Sequence, residues 1–295
     1  MAGCLAETGV AVIGGDQRQS MVLEELANRA AWVKTFCLSY GSSPRVMEAE
    51  SLEDAISGAG AIVFPISGVS NEGKVRLAGE KGFLPLPGNF IETLEPGTVI
   101  MTGSSPADWK RQCEALQHIV IDYAELDEVA IPNAIPTAEG AIQLAMQGLP
   151  VTLCRNDFLI LGFGRVAKAL AKMLLGIGAR VFVAARRRAQ QEEASEMGCQ
   201  AVAFSDLATL LTSVWAVFNT VPARVLTAEH LSVLRKDAMV IDLASAPGGT
   251  DFDAAKVLGI SAILALGLPG KVAPRTAGEI LASTIPNLLD RALTR

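Results

Sequence analysis

Two glycine turns in this chain place backbone where it can do chemistry. The more specific is Gly162-Phe163-Gly164-Arg165-Val166-Ala167, a G-x-G-x-x-A fingerprint between an apolar run and an amphipathic stretch reaching to about residue 176. Gly162 permits the tight turn, Gly164 lets the backbone approach a pyrophosphate, and Ala167 keeps strand and helix close. The helix that begins there offers unpaired N–H groups and the positive end of its dipole to phosphates. The next apolar run ends in Ala184-Ala185-Arg186-Arg187-Arg188. An NAD site usually carries Asp or Glu at that point for the ribose 2′-hydroxyl, and none is present. A guanidinium at Arg186 or Arg187 instead suits a 2′-phosphate, so NADP is expected over NAD. Thr220-Val221-Pro222 lies at the end of the run at 213–221 and is expected over the ribose or nicotinamide, although Pro222 also reads as a strand terminator. Ala244, Gly267 and Pro269, in turns of little side-chain bulk, complete the expected cofactor contacts.

The second glycine turn, Gly14-Gly15-Asp16-Gln17-Arg18, lacks the fingerprint, and Asp16 there would repel a pyrophosphate. It suits a smaller anion, held by backbone N–H groups with Arg18 adding charge. Ser67-Gly68 and Ser104-Ser105 lie in turns after later runs of the same half and belong at the same sheet edge. With Thr137, Lys271 and Arg275 they make a candidate substrate-binding set; the alternative is that they are ordinary strand-to-helix turns and solvated helix starts. For a proton acceptor the candidates are Asp16, Glu139 and Ser245, with Asp16 equally suited to cap the first helix. His118 and His230 read as structural, which leaves no obvious histidine base or histidine metal site.

Apolar runs at 9–15, 32–38, 60–66, 97–103 and 117–123, then 157–164, 179–187, 213–221, 237–245 and 259–266, alternate with helical stretches. That alternation predicts an α/β fold of two doubly wound, parallel-sheet, Rossmann-like domains joined by long helices. Residues 132–149 read as a connecting helix with Pro136 near its start and Thr137 and Glu139 in its first turn; residues 271–293 read as a long helix interrupted near Pro286. The expected division is a substrate domain over 1–148, with the terminal helix 271–295 packing back on it, and an NADP-binding domain over 149–270.

The bulk numbers narrow the class. Half of the 295 residues are hydrophobic, yet no run of eighteen uninterrupted apolar residues exists to span a membrane. The first residues show no signal-peptide pattern, so a cytoplasmic protein is expected. A net charge of −6 with no long Lys/Arg block argues against a nucleic-acid partner. Five cysteines without C-x-x-C spacing are read as reduced, buried thiols, and no metal is expected.

The segments AVIGGDQRQ, PISGVSNEGKV, AIPTAEGAIQLAM, LGFGRVAKALAKMLLGIGARVFVAAR, DLASAPGGTDF and GLPGKVAPRTAGEILA together resemble the A-subunit family of bacterial dipicolinate synthase along nearly the whole chain. PGGTDF and GLPGKVAP are the more specific parts, while 39–58 and 79–96 offer little to match. The resemblance implies a sporulation enzyme of the mother-cell cytoplasm. It implies oxidation of a dihydrodipicolinate-type intermediate to pyridine-2,6-dicarboxylate with NADP as hydride acceptor. The implied partner is the flavoprotein-like B subunit of dipicolinate synthase. A homo-oligomer is expected too. The alternatives are an alanine- or hydroxyacid-type dehydrogenase, and a non-catalytic nucleotide-binding protein that organises the B subunit.

Overall fold

The apolar runs become strands buried on both faces, which is why they read as continuous rather than alternating. The computed structural model describes residues 4–38, 40, 43–78 and 82–294; the extremes of the expected first domain and terminal helix, 1–3 and 295, lie outside the described residues. The chain divides into two units, Met1–Pro132 with Pro274–Arg295, and Asn133–Ala273.

The first unit carries β1 (Gly9–Ile13), β2 (Trp32–Phe36), β3 (Val46–Glu48), β4 (Ala61–Val63), the hairpin β5 (Lys74–Arg76) and β6 (Phe83–Pro85), β7 (Val99–Thr102) and β8 (Ile119–Asp122). Among the described residues, six of these form one parallel sheet in the order β3-β2-β1-β4-β7-β8. The second unit repeats the order with β9 (Asp157–Leu161), β10 (Arg180–Ala184), β11 (Gln200–Val202), β12 (Ala216–Asn219), β13 (Met239–Asp242) and β14 (Ser261–Leu264), arranged β11-β10-β9-β12-β13-β14. In each sheet the winding reverses beside the first strand, between β1 and β4 and between β9 and β12. Open α/β sheets bind ligands outside the carboxyl ends at that point.

The helices are α1 (Gln17–Arg29), α2 (Leu52–Ile56), α3 (Ala107–Ala115), α4 (Asp127–Gly148), α5 (Arg165–Ile177), α6 (Arg188–Glu196), α7 (Leu207–Leu211), α8 (Ala228–Val233), α9 (Phe252–Leu258), α10 (Leu268–Val272) and α11 (Pro274–Leu293). Period-two alternation along β1 sends Val10 and Val12 toward α1 and α11, where Val22, Leu26, Leu281, Ile285 and Leu289 meet them. Ala11 and Ile13 face the opposite core with Leu52, Phe64 and Ile100. In the second unit Phe158 and Ile160 of β9 pack on Ala138, Ala141 and Ala145 of α4 and on Leu170 and Leu174 of α5. Leu159 and Leu161 face Leu207, Leu231 and Ala255 on the other side.

The structure differs from three expectations. The connecting helix begins at Asp127, so Pro132 and Pro136 lie inside α4 and Thr137 and Glu139 lie well past its first turn. The unit division falls within that helix, between Pro132 and Asn133, rather than after it. The terminal helix does not break at Pro286; the break is at Ala273, which separates α10 from α11 and leaves Lys271 on α10. A proline inside a helix costs about 3 kcal/mol. Burying Ile285, Leu288 and Leu289 beside it outweighs that, at about 1.5–3 kcal/mol for each side chain. The short strands β3 and β11 and the β5–β6 hairpin escaped the sequence reading, because three residues of mixed exposure leave no apolar run.

Candidate functional site

β9 ends at Leu161, and Gly162 turns the chain with φ +88°, its N–H donating to the Ala184 carbonyl at 2.8 Å. A Cβ at Gly162 would stand 2.6 Å from Thr220 Oγ1 and 3.0 Å from Val221 Cγ2, so only glycine fits where the β12 loop closes on the turn. Gly164 then serves as the N-cap of α5 without any side-chain cap bond, and a Cβ built there meets nothing within 4 Å. The first turn of this thirteen-residue helix thus carries no N-cap side-chain bond and begins at a glycine with room around its Cα. That is the cradle a pyrophosphate needs, and it fits a dinucleotide. Phe163 is core, with its carbonyl accepting from Gln190 Nε2 at 3.1 Å, and Val166 is half-buried. Gln191 Nε2 donates to the Ala185 carbonyl at 2.7 Å, so the start of α6 is stitched to both turns. Arg186 and Arg187 are exposed where β10 meets α6, and the first turn of α6 has no acidic residue. Arg188 pairs with Glu192 instead.

The β12 and β13 ends hold a polar cluster that the sequence reading missed. Asn219 and Asp242 are opposite each other in register and fully buried. Asp242 accepts from Asn219 Nδ2 at 2.9 Å, the Ala244 N–H at 3.1 Å, the Gly249 N–H at 2.8 Å and Thr250 Oγ1 at 2.6 Å. A polar residue closing each apolar run, VFN and VID, was the available signal. The Thr220 hydroxyl donates to the Leu161 carbonyl at 2.7 Å, and Pro222 is exposed just beyond. Ser245 is exposed in the turn after β13, next to buried Ala244. Gly267, at φ +67°, precedes α10, and Pro269 is buried.

In the first unit three turns do gather at the carboxyl edge. A Cβ on Gly15 would lie 3.3 Å from Pro65 Cβ, and one on Gly68 would lie 2.1 Å from the Ser104 carbonyl oxygen. The backbone donors expected to hold an anion are nevertheless taken. The Gly14 N–H bonds the Phe36 carbonyl at 2.9 Å, the Gly15 N–H the Arg76 carbonyl at 3.1 Å, and the Gly68 N–H the Pro65 carbonyl at 2.8 Å. Asp16 caps α1 by accepting from the Arg18 N–H, and it also receives the Arg18 guanidinium on both oxygens, at 2.9 Å from Nε and 2.6 Å from Nη2. Burial raises the Asp16 carboxyl, but the Arg18 hydrogen bonds and charge, with Arg76 nearby, outweigh it and hold the group below the usual carboxylate range. A carboxylate so held is a poor proton acceptor. Arg18 likewise spends its charge on Asp16. Ser67 and Ser104 are exposed, whereas Ser105 donates to Asp122 at 2.6 Å. Arg76, missed in the sequence, is exposed on β5 beside this edge. Tyr123 is fully buried beneath, donates to the Phe64 carbonyl at 2.9 Å, and is pushed upward in pKa by burial, which makes it a pin rather than an acid.

Other candidates lie elsewhere. Glu139 borders a surface groove of about 530 Å³ with Ile142, Met146, Met173 and Ile177, beside the far half of α5 and not its glycine turn. The Thr137 hydroxyl is used by the Asn133 carbonyl at 2.8 Å, one turn back in α4. Lys271 is exposed near the end of α10, and Arg275 pairs with Glu279 at 2.9 Å on the surface of α11. No helix among the described residues is long and apolar enough to cross a membrane.

Comparison with known proteins bears on both units. Residues 9–124 match the family described as the N-terminal domain of the dipicolinate synthase A subunit. Residues 138–257 match that described as D-isomer specific 2-hydroxyacid dehydrogenase, NAD binding domain. The dipicolinate synthase A subunit of Bacillus subtilis strain 168 is 33% identical over 283 residues, covering 95% of each chain. The crystal structure of the dipicolinate synthase A subunit from Bacillus halodurans superposes with a TM-score of 0.88 at 35% identity, over 97% of this chain and 98% of that one. An L-alanine dehydrogenase shares the fold alone, with a TM-score of 0.61 at 16% identity over 97% and 93% of the two chains.

Proposed function

The chain belongs to the family of dipicolinate synthase A subunits, and its residues 138–257 form a nicotinamide-dinucleotide-binding domain of the dehydrogenase type; from that premise we propose that it oxidises dihydrodipicolinate to pyridine-2,6-dicarboxylate. One ring C–H bond breaks and its electron pair leaves as hydride, a second ring hydrogen leaves as a proton, and the ring becomes aromatic. When bound, the nicotinamide of NADP supplies the acceptor for that hydride.

The observation that carries this reading is the open start of α5 at Gly164 beside the acid-free, arginine-bearing end of β10. The α5 amides hold the pyrophosphate, Arg186 and Arg187 meet the 2′-phosphate, and Thr220-Val221-Pro222 contacts the other half of the dinucleotide. The first unit is the substrate domain. With its turn amides committed internally, Arg76 and the hydroxyls of Ser67 and Ser104 take over recognition of a substrate carboxylate. Because aromatisation drives the step, the ring proton needs no strong base; it passes to solvent water, with exposed Ser245 placed to relay it by giving up its own proton as it accepts one, rather than to the internally paired Asp16. The protein works in the mother-cell cytoplasm during sporulation, with a flavoprotein-like B subunit and as a homo-oligomer.

The test is direct. The purified chain, alone and then with the B subunit, receives NADP and freshly formed dihydrodipicolinate, and NADPH and dipicolinate are measured together. Equal amounts of both products are expected. Nucleotide binding without either product, in both preparations, leaves an organising protein rather than an enzyme.

A further inference from the structure

A buried carboxyl group is costly unless its oxygens are satisfied. Asp242 is fully buried, and its four hydrogen-bond partners are Asn219, the Ala244 and Gly249 amides, and Thr250. No ion pair to it is found among the described residues. A strand end that served only the core would carry Val or Ile at less cost. What Asp242 secures is the mutual fit of two loops.

The fit is tight at several points. Asn219 both donates to the Val221 carbonyl and accepts from the Val221 N–H, each at 3.0 Å, which sets the loop direction after β12. The Gly249 carbonyl accepts the N–H groups of Val225 at 2.9 Å and Leu226 at 3.0 Å. A Cβ on Gly249 would sit 2.5 Å from the carbonyl oxygens of Val221 and Ala223, so the loops pass with backbone against backbone. The same Thr220-Val221 pair limits Gly162 to glycine. Asp242 is thus linked, through Asn219, to the wall of the phosphate turn.

We propose that Asp242, acting through Asn219 and Thr250, is a positioning residue for the nicotinamide half of the dinucleotide. It rests on the nucleotide-site reading above, and it divides binding into two separable parts. The adenine and phosphate half depends on the α5 amides and Arg186. The nicotinamide half depends on the loop that the buried carboxylate holds in place.

The experiment compares two probes by calorimetry. One is the intact dinucleotide, whichever of NADP and NAD the wild type binds more tightly. The other is its adenine half alone, 2′,5′-ADP or ADP. Thr250→Val removes one donor to Asp242 while keeping shape, and is expected to weaken the intact dinucleotide about tenfold while changing the fragment by less than about twofold. Thr250→Ser restores the donor and the affinity. Asp242→Asn keeps the outline but turns an acceptor into a donor, and is expected to show the same split more strongly. Equal weakening of both probes, or no weakening of either, in Thr250→Val or Asp242→Asn protein that still unfolds cooperatively overturns the positioning role, as does a Thr250→Ser protein that stays as weak as Thr250→Val. Failure of the wild type to bind either probe overturns the nucleotide-site reading and this inference with it.

Discussion

The turn after β9 and the turn after β1 hold the same place in sheets of the same strand order, yet their helix starts are chemical opposites. At Gly164 no side chain caps α5 and a Cβ would meet nothing within 4 Å. At Asp16 a carboxylate caps α1, an arginine grips the carboxylate, and the Arg76 carbonyl takes the adjacent amide. Topology selects where a ligand is able to sit, but whether the helix start carries a side-chain cap sets how well each turn suits a phosphate. A polar turn that satisfies itself is finished structure.

The comparison breaks most sharply with Gly164→Asp, which gives the second turn the cap of the first. The backbone there is in the extended region at φ −93°, so aspartate is accommodated and, as a cap, holds or raises the melting temperature. Its charge opposes phosphate directly. Dinucleotide affinity is expected to fall more than about a hundredfold, since like-charge juxtaposition costs several kcal/mol; calorimetry with NADP and NAD checks it. Retained affinity would mean that α5 does not hold the pyrophosphate.

A smaller effect sharpens the contrast at the 2′-position. Arg186→Ala is expected to lower NADP affinity about tenfold, the worth of a charge-assisted contact, with NAD binding unchanged. Equal loss for both dinucleotides would place Arg186 on a feature they share.

The smallest change is at the closed turn. Asp16→Asn keeps a cap acceptor but loses the ion pair with Arg18, and is expected to cost about 0.2–1 kcal/mol of unfolding free energy at neutral pH, with turnover largely kept. Asp16 has a lowered native pKa, so its stabilisation is present above the unfolded value near 3.9 and is lost as pH falls through the native one. Denaturation of both proteins should converge only in that acidic window. A large loss of turnover at full stability would return Asp16 to the chemistry.

The fold was legible because parallel strands covered on both faces leave unbroken apolar runs, and Gly162-x-Gly164 between strand and helix has few other uses. Strands β3 and β11 were not, since short edges carry no such run. Arg186 stood out in the sequence by the acid missing at the end of its strand, and the structure leaves it exposed at the start of α6. Pro136 misled because proline is a frequent helix starter; the buried alanine stripe of α4 was the stronger influence. The pairing of Asp16 with Arg18, two residues apart, was hidden because sequence gives both charges and no indication that each is spent on the other. Asn219 and Asp242 were overlooked because their importance lies in meeting across two adjacent strands.

The return of α11 to the first unit sets an order of maturation. Leu281, Ile285, Leu288 and Leu289 belong to a core whose other members come from the opening strands, and Asp290 receives the Leu5 N–H at 3.0 Å. A ribosome emits Asn133–Ala273 as one uninterrupted body, able to close while synthesis continues. The earlier-made segment waits, its Val10–Val12 face unsealed, until the last helix emerges. The Asn133–Ala273 unit is therefore synthesised in full before α11 of the unit that was begun first.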